Sequence, residues 1–372
     1  MPVKCQTVIN LIDQFAPKRL AEDWDNIGLN VGDNTIEITG VFVTLDVNQD
    51  TVNEALSMGA NFIVAHHPLI FKPVKNIRAD QPMGRLLTKI IKNDISVFCV
   101  HTNLDSAQDG VNQTLAEIFD LQNVEVLNPD KPEKIFKIVV FVPESHFEVV
   151  REAVTKAGAG WIGGYSDCTF SVAGTGTFKP TVGCKPFIGQ PGFVENVAEV
   201  RLETVVKENQ LERVVRAMVK AHPYEEVAYD VYPLANDAGK LGLGRIGFLK
   251  KPVKFHYFMD MTKELLKVST LRYGGDPNSE VQKIAVCGGS GASFMKKAAF
   301  FGADVLLTGD IKYHEAQNAI EMDMKFVDAG HYPTENPIVG KLAGFLNQSL
   351  VSLGHSLPVY VSTLNKDTFK YY

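Results

Sequence analysis

The sequence predicts an α/β protein of two lobes, interrupted by a smaller inserted α+β domain, and three observations carry that expectation. Strand and helix patterns alternate over residues 1 to 125 and again from the 240s to the C-terminus, as in βαβ units on a mainly parallel sheet. Between these flanks the order changes to β-α-β-β-α-β, which is ferredoxin-like. Strand ends carrying metal-type residues occur on both sides of the middle stretch. If they are to meet, the flanks must form one unit with the middle inserted, which is tolerated where chain ends lie close together.

In the first flank the patterns predict a helix over 5–16, strands near 40–45, 61–65 and 96–100, and helices over 48–58, 81–93 and 110–119. Leu127-Asn128-Pro129-Asp130-Lys131-Pro132-Glu133 is dense in turn formers and reads as a boundary. Beyond it, KIFKIVVFVP predicts a strand, His146 to Ala157 a helix and a glycine-interrupted run further strands. VAEVRLETVV then predicts a strand, Gln210 to Ala221 a helix and EVAYDVYPL the last strand. ANDAGKLGLGR reads as a glycine-rich link. After it come strands at 244–248, 283–287, 304–307, 325–328 and 358–361, with helices near 253–267, 292–301, 311–321 and 335–352. The expected domains are therefore 1–127, 128–236 and 237–372.

A chain of 372 residues exceeds one ordinary core, and 45% apolar with 22% charged residues is typical of a folded globular protein. The net charge of −6, with no basic run interleaved with aromatics, argues against nucleic acid as the main partner. The N-terminal MPVKCQTVINLIDQF reads as an amphipathic helix rather than a signal peptide. No apolar run is long enough to span a bilayer, so a cytoplasmic location without membrane partners is expected. Cys5, Cys99, Cys168, Cys184 and Cys287 are odd in number, scattered and free of CxxC, which fits reduced thiols.

The chemistry concentrates at three strand ends. NFIVA runs into His66-His67-Pro68, SVFCV into His101-Thr102-Asn103-Leu104-Asp105, and KFVDA into Gly330-His331-Tyr332-Pro333-Thr334-Glu335. If the three strands share a parallel sheet, their carboxyl ends open on one crevice, where such sheets place ligands. Imidazole suits zinc, iron, copper or nickel, whereas carboxylates suit harder ions and can bridge two metals. A mixed set thus fits one or two transition ions. Taken singly, each residue has an ordinary explanation: the His pair as a loop turn, Asp105 as a cap for a helix beginning near Asp109 or Gly110, Glu335 as a first-turn acid. Their coincidence at three strand ends points to a metal.

Secondary features surround this set. Asp46 and Asp310 end two more strand-like runs, and His314 follows Asp310 at i,i+4. They are candidates to orient ligand histidines, with surface acid and helix cap as the competing account. Gly288-Gly289-Ser290-Gly291 joins a strand to a helix start, and its N–H groups are a candidate anion cradle or a plain tight turn. Trp24, between acids, either walls the crevice or seals a core edge. Ala221-His222-Pro223-Tyr224-Glu225-Glu226 reads as a helix-to-strand turn.

Together DWDNIGL at 23–29, HHP at 66–68, HTNLD at 101–105, TGD at 308–310 leading to His314, and HYPTE at 331–335 resemble the NIF-three-like family, also called GTP cyclohydrolase 1 type 2 homologs. The middle segment looks like the insert of its YqfO-type bacterial members, similar in fold to PII and CutA. The resemblance implies a NIF-three-like two-lobed α/β unit with a PII/CutA-like insert. It also implies a centre of two divalent ions per chain, zinc, iron or manganese, held by His66, His67, Asp105, His331 and Glu335, with His101 close by. It implies a toroidal homohexamer and metal-dependent hydrolysis of a small nucleotide-like or phosphate-bearing molecule. For a GTP cyclohydrolase-type reaction the attack would fall on C8 of the purine. The alternative is a metal-carrying ring that binds or regulates without catalysis.

Overall fold

The computed structural model describes residues 2–236 and 239–371. The chain divides into two compact units, one made of Met1–Lys131 with Leu241–Tyr372, the other of Pro132–Lys240.

The first unit holds two principal sheets. In the five-stranded one, Val359–Val361, Val41–Thr44, Phe62–Ala65 and Ser96–Cys99 run parallel in that order, and Gly28–Val31 closes the edge antiparallel. Its central strands are buried on both faces, which is why they read as unbroken apolar runs rather than alternating ones. Val41, Val43, Phe62 and Val64 face the helices Cys5–Phe15 and Pro337–Ser352, while Phe42, Ile63 and Val97 face Gln49–Ser57 and Pro82–Lys92. Local chemistry starts these helices where expected. Asn48 accepts from the backbone of Asp50 and Thr51 in a capping box, and Pro82 occupies the first turn of its helix, where no N–H is needed.

The second sheet runs Arg272–Gly274, Lys325–Asp328, Val305–Thr308, Glu280–Val286, Lys240–Lys254, Gln122–Pro132. Its middle strands Glu280–Val286, Val305–Thr308 and Lys325–Asp328 are parallel. The single-sheet expectation therefore fails: the strands before His66 and His101 are neighbours in one sheet, and the strand before His331 lies in the other. Each sheet buries its own two faces under its own helices, so the site forms where the carboxyl ends of two sheets meet within one unit.

Two linker readings also change. Leu127 to Glu133 is mostly strand, and so is the 240–245 part of the glycine-rich link, whose Asp237 and Ala238 lie outside the described residues. Gln122–Pro132 tolerates its prolines because it is the edge strand, where a missing N–H breaks no interior ladder. The division between units thus falls at 131/132 and 240/241, inside the turn-former and glycine-rich stretches and a few residues beyond the expected 127/128 and 236/237.

In the second unit, strands Ile135–Pro143, Thr169–Phe178, Glu195–Lys207 and Tyr229–Pro233 and helices Phe147–Lys156 and Glu208–Ala221 follow one another as β-α-β-β-α-β. The antiparallel sheet runs Tyr229–Pro233, Ile135–Pro143, Glu195–Lys207, Thr169–Phe178. Ile138, Val140, Leu202 and Val206 pack one face against Val150, Val154, Val214 and Met218 of the helices. No helix among the described residues is long and apolar enough to cross a membrane.

Candidate metal centre

His66 and His67 follow directly on Phe62–Ala65, and His101 follows Ser96–Cys99 by two residues. Asp105 lies in the short helix Thr102–Ser106, and His331 and Glu335 bound the short helix His331–Glu335. All six side chains converge. Ligand atoms of His66, His67 and His101, of His67, His331 and Glu335, and of His66, Asp105 and Glu335 form three groups, each within 4.8 Å. Glu335, 5% exposed, is a buried carboxylate at the centre: its Oε2 lies 2.9 Å from Nε2 of His67 and 3.0 Å from Nε2 of His331. The histidine expected only beside the site, His101, is one of the converging rings.

Every ring is fixed through its Nδ1. That of His66 donates to the Val100 carbonyl at 2.9 Å, that of His67 to Asp46 at 2.7 Å, that of His101 to Asp25 at 2.9 Å and that of His331 to Asp310 at 2.7 Å. Holding the Nδ1 proton on an outer acceptor turns each Nε2 inward, as metal-ligating histidines require. Asp46 and Asp310, read in the sequence as candidates to orient histidines, are thus bonded to the rings of His67 and His331. His314 lies elsewhere: it is exposed, bonds Gln317 and packs edge-on against Tyr313, because its helix carries it away from the strand end. Asp25, inside the DWDNIGL motif, joins this outer layer without a sequence signal of its own. Its carboxylate, with a fully buried side chain, also accepts from the Thr102 backbone at 3.0 Å and so caps the helix that bears Asp105.

The electrostatics fit a cation. Burial works against a charged His67, yet its bonds to Asp46 and Glu335 push it up to about 10, and the bond to Glu335, opposed by burial, pushes His331 up to about 9. Burial alone would raise Glu335, but the facing rings of His331 and His66 hold it well below the usual carboxylate range; Asp105 is raised, first by burial. Two buried atoms aimed at the centre, Nε2 of His66 and Oδ1 of Asp105, have no hydrogen-bond partner among the described residues and stand 3.6 Å apart. Buried polar atoms are rarely left so without an ion or water in view. The donor set passes the test for a transition ion.

The glycine loop serves the site by shape rather than as an anion cradle. The N–H groups of Gly288, Gly289 and Gly291 are committed to side-chain oxygens of Asn112, Thr334 and Thr308. Gly289, at φ +60°, lets the backbone pass against the ligands, for a Cβ there would sit 2.2 Å from Oε1 of Glu335. Ser290 donates to Asp310, adding a second support to that orienting acid. On the other side, Trp24 and Phe71 are 62% and 52% exposed, with ring centroids 6.0 Å apart, and Trp24 is 6.1 Å from the His101 ring. Trp24 therefore walls the site instead of sealing a core.

The family model Duf34/NIF3 (NGG1p interacting factor 3) matches residues 3–368. The chain belongs to the NIF3 family. Curated relatives named "GTP cyclohydrolase 1 type 2 homolog" support this NIF3 assignment. That of Halalkalibacterium halodurans is 46% identical over 326 residues, 88% of each chain, and that of Bacillus subtilis 46% over 330 residues, 89% of this chain and 88% of the relative. Among solved NIF3 structures, a Bacillus cereus protein related to NIF3 superposes with TM-score 0.90 at 43% identity, covering 100% of both chains.

Proposed function

We propose that this NIF3-family protein is a dinuclear metal-dependent hydrolase of a nucleotide-like or phosphate-bearing small molecule. The observation that carries the reading is the ligand set itself. The group of His66 and Asp105 and the group of His67 and His331 share only Glu335, so these residues would hold two ions with Glu335 common to both groups. Six donors for two ions leave positions open, as catalytic sites require and closed structural sites do not. Metal ions held there supply Lewis-acid chemistry, polarising an oxygen of the substrate and acidifying a water near neutral pH.

The chain's own residues do the rest. Asp46, Asp25, Asp310 and the Val100 carbonyl hold the rings in one tautomer, so no reorganisation is needed when charge develops. Trp24 and Phe71 offer exposed ring surface on which a flat heterocycle can stack beside His101. Phe71 is followed by exposed Lys72 and Lys75, a counter-charge for a phosphate. GTP is the first substrate to try, given the names of the relatives.

The inserted unit's strand order supports a ferredoxin-like, PII/CutA-like fold, and we extend the proposal to a ring-shaped homohexamer, to be checked by light scattering. The decisive assay loads the native protein, Asp105→Asn and Glu335→Gln with zinc, iron or manganese and measures release of product from GTP and simple phosphoesters. Turnover in the native protein and its loss in both variants is expected. Turnover retained in both would overturn the catalytic reading, and metal bound with no turnover of any substrate would leave a metal-carrying binding protein.

A further inference from the structure

In the Pro132–Lys240 unit the helices cover one face of the sheet, and the opposite face bounds a cavity of about 600 Å³. Phe141, Val172, Gly174, Gly176, Glu199 and Arg201 project from the strands into it, and Phe178, Phe187 and Tyr224 close its sides. Size and a mainly apolar lining with few polar groups are the marks of a small-molecule site.

One of those polar groups is out of place in an apolar wall. Glu199 is 7% exposed, and its Oε1 accepts from the Tyr224 hydroxyl at 2.9 Å. Among the described residues no cationic side chain pairs with it. Arg201, two residues along the same strand, turns instead to Glu203 at 2.9 Å. His222, packed edge-on to Tyr224, accepts from the Tyr224 N–H through Nδ1 and donates through Nε2 to the Phe141 carbonyl, the pattern of a neutral ring. Gly176 on the adjacent strand makes the room, because a Cβ there would lie 2.0 Å from Oε2 of Glu199. A carboxylate buried with one hydroxyl for company costs free energy that a cation would recover. The surrounding ring faces attract cations as well.

We propose that this cavity binds a small molecule that presents a protonated amine to Glu199 and an apolar or aromatic body to Phe141, Phe178 and Phe187. Two cations, Lys179 and Arg201, and three carboxylates, Glu199, Glu225 and Glu226, line the cavity, so its charge favours an amine over a phosphate. The site uses none of the metal-centre residues and does not depend on the hydrolase reading.

The test titrates the full chain with phenethylamine and with 3-phenylpropionate, which keeps the ring and reverses the charge, read by calorimetry or ligand-observed NMR. The native protein should prefer the amine by about tenfold or more, and Glu199→Gln should abolish that preference. Phe187→Ala, which leaves the carboxylate in place, should weaken the amine by roughly tenfold while keeping its preference over the acid. Equal binding of amine and acid by the native protein overturns the proposal. So does a preference that survives Glu199→Gln, an amine affinity untouched by Phe187→Ala, or no binding of either probe at millimolar concentration because a second copy of the chain covers this face.

Discussion

The unit with the candidate metal centre and the inserted unit both keep buried carboxylates, but they treat them differently. In the first, Glu335 and Asp105 face several imidazoles, each braced from behind by another acceptor, whereas in the second Glu199 has a tyrosine hydroxyl and aromatic walls. The difference teaches what kind of cation each can hold. A crowd of oriented nitrogen and oxygen donors suits a small, desolvated ion, while a lone carboxylate among rings suits an organic cation that brings its own apolar surface.

The largest effect that could break this contrast is exchange of the central acid. Glu335→Gln should weaken metal binding beyond the roughly 100-fold expected from losing a supporting residue and leave the response to phenethylamine unchanged. Metal retained at native affinity in that variant would place the ions elsewhere. A smaller effect is predicted one layer out: Asp46→Asn should cost about 10- to 100-fold in metal affinity, since the amide no longer fixes the His67 tautomer. If equilibrium dialysis finds no change, the bracing of the rings is incidental.

Trp24→Ala sharpens the comparison from the substrate side. Loss of one stacking surface should raise KM for a nucleotide-like substrate by about tenfold with kcat nearly kept, and should not move metal stoichiometry.

The smallest effect concerns a carboxylate that binds neither kind of cation. Glu54, 5% exposed, accepts from the backbone of Thr363 and Leu364 and the hydroxyls of Ser362 and Thr363, tying the C-terminal segment to the first sheet's helix layer. Burial alone would raise it, but these bonds hold it below its ordinary 4.5. A depressed folded-state value contributes stability above about pH 4.5 that is lost as pH falls through that value. Glu54→Gln should therefore cost about 1.5–3 kcal/mol at neutral pH, and its difference from the native protein in thermal melts should shrink in acid.

Much of the metal centre was legible because its donors sit at the ends of apolar runs. His66, His67, His101, Asp105, His331 and Glu335 each follow a strand closely enough for period and composition to place them. The partition of those strands between two sheets was not legible, since a doubly buried strand reads the same in either. His314 shared a promising i,i+4 spacing with Asp310, but Asp310 lies in the left-handed region at φ +56°, which redirects the chain before the helix begins. Asp25 stood in plain sight in DWDN; what hid it was the 76-residue separation from the His101 it orients. Glu199 gave no signal at all, because an acid on the open face of a strand reads as a solvated residue until the chain from Phe178 to Ile188 is seen to enclose it.

The most direct test of the central claim is elemental analysis of metal per chain in the native protein and in His331→Ala, after incubation with zinc, iron or manganese. The dinuclear reading predicts about two ions in the native protein and a clear loss in the variant. No stoichiometric metal in either protein would contradict it, and would make the converging histidines a hydrogen-bonded structural cluster.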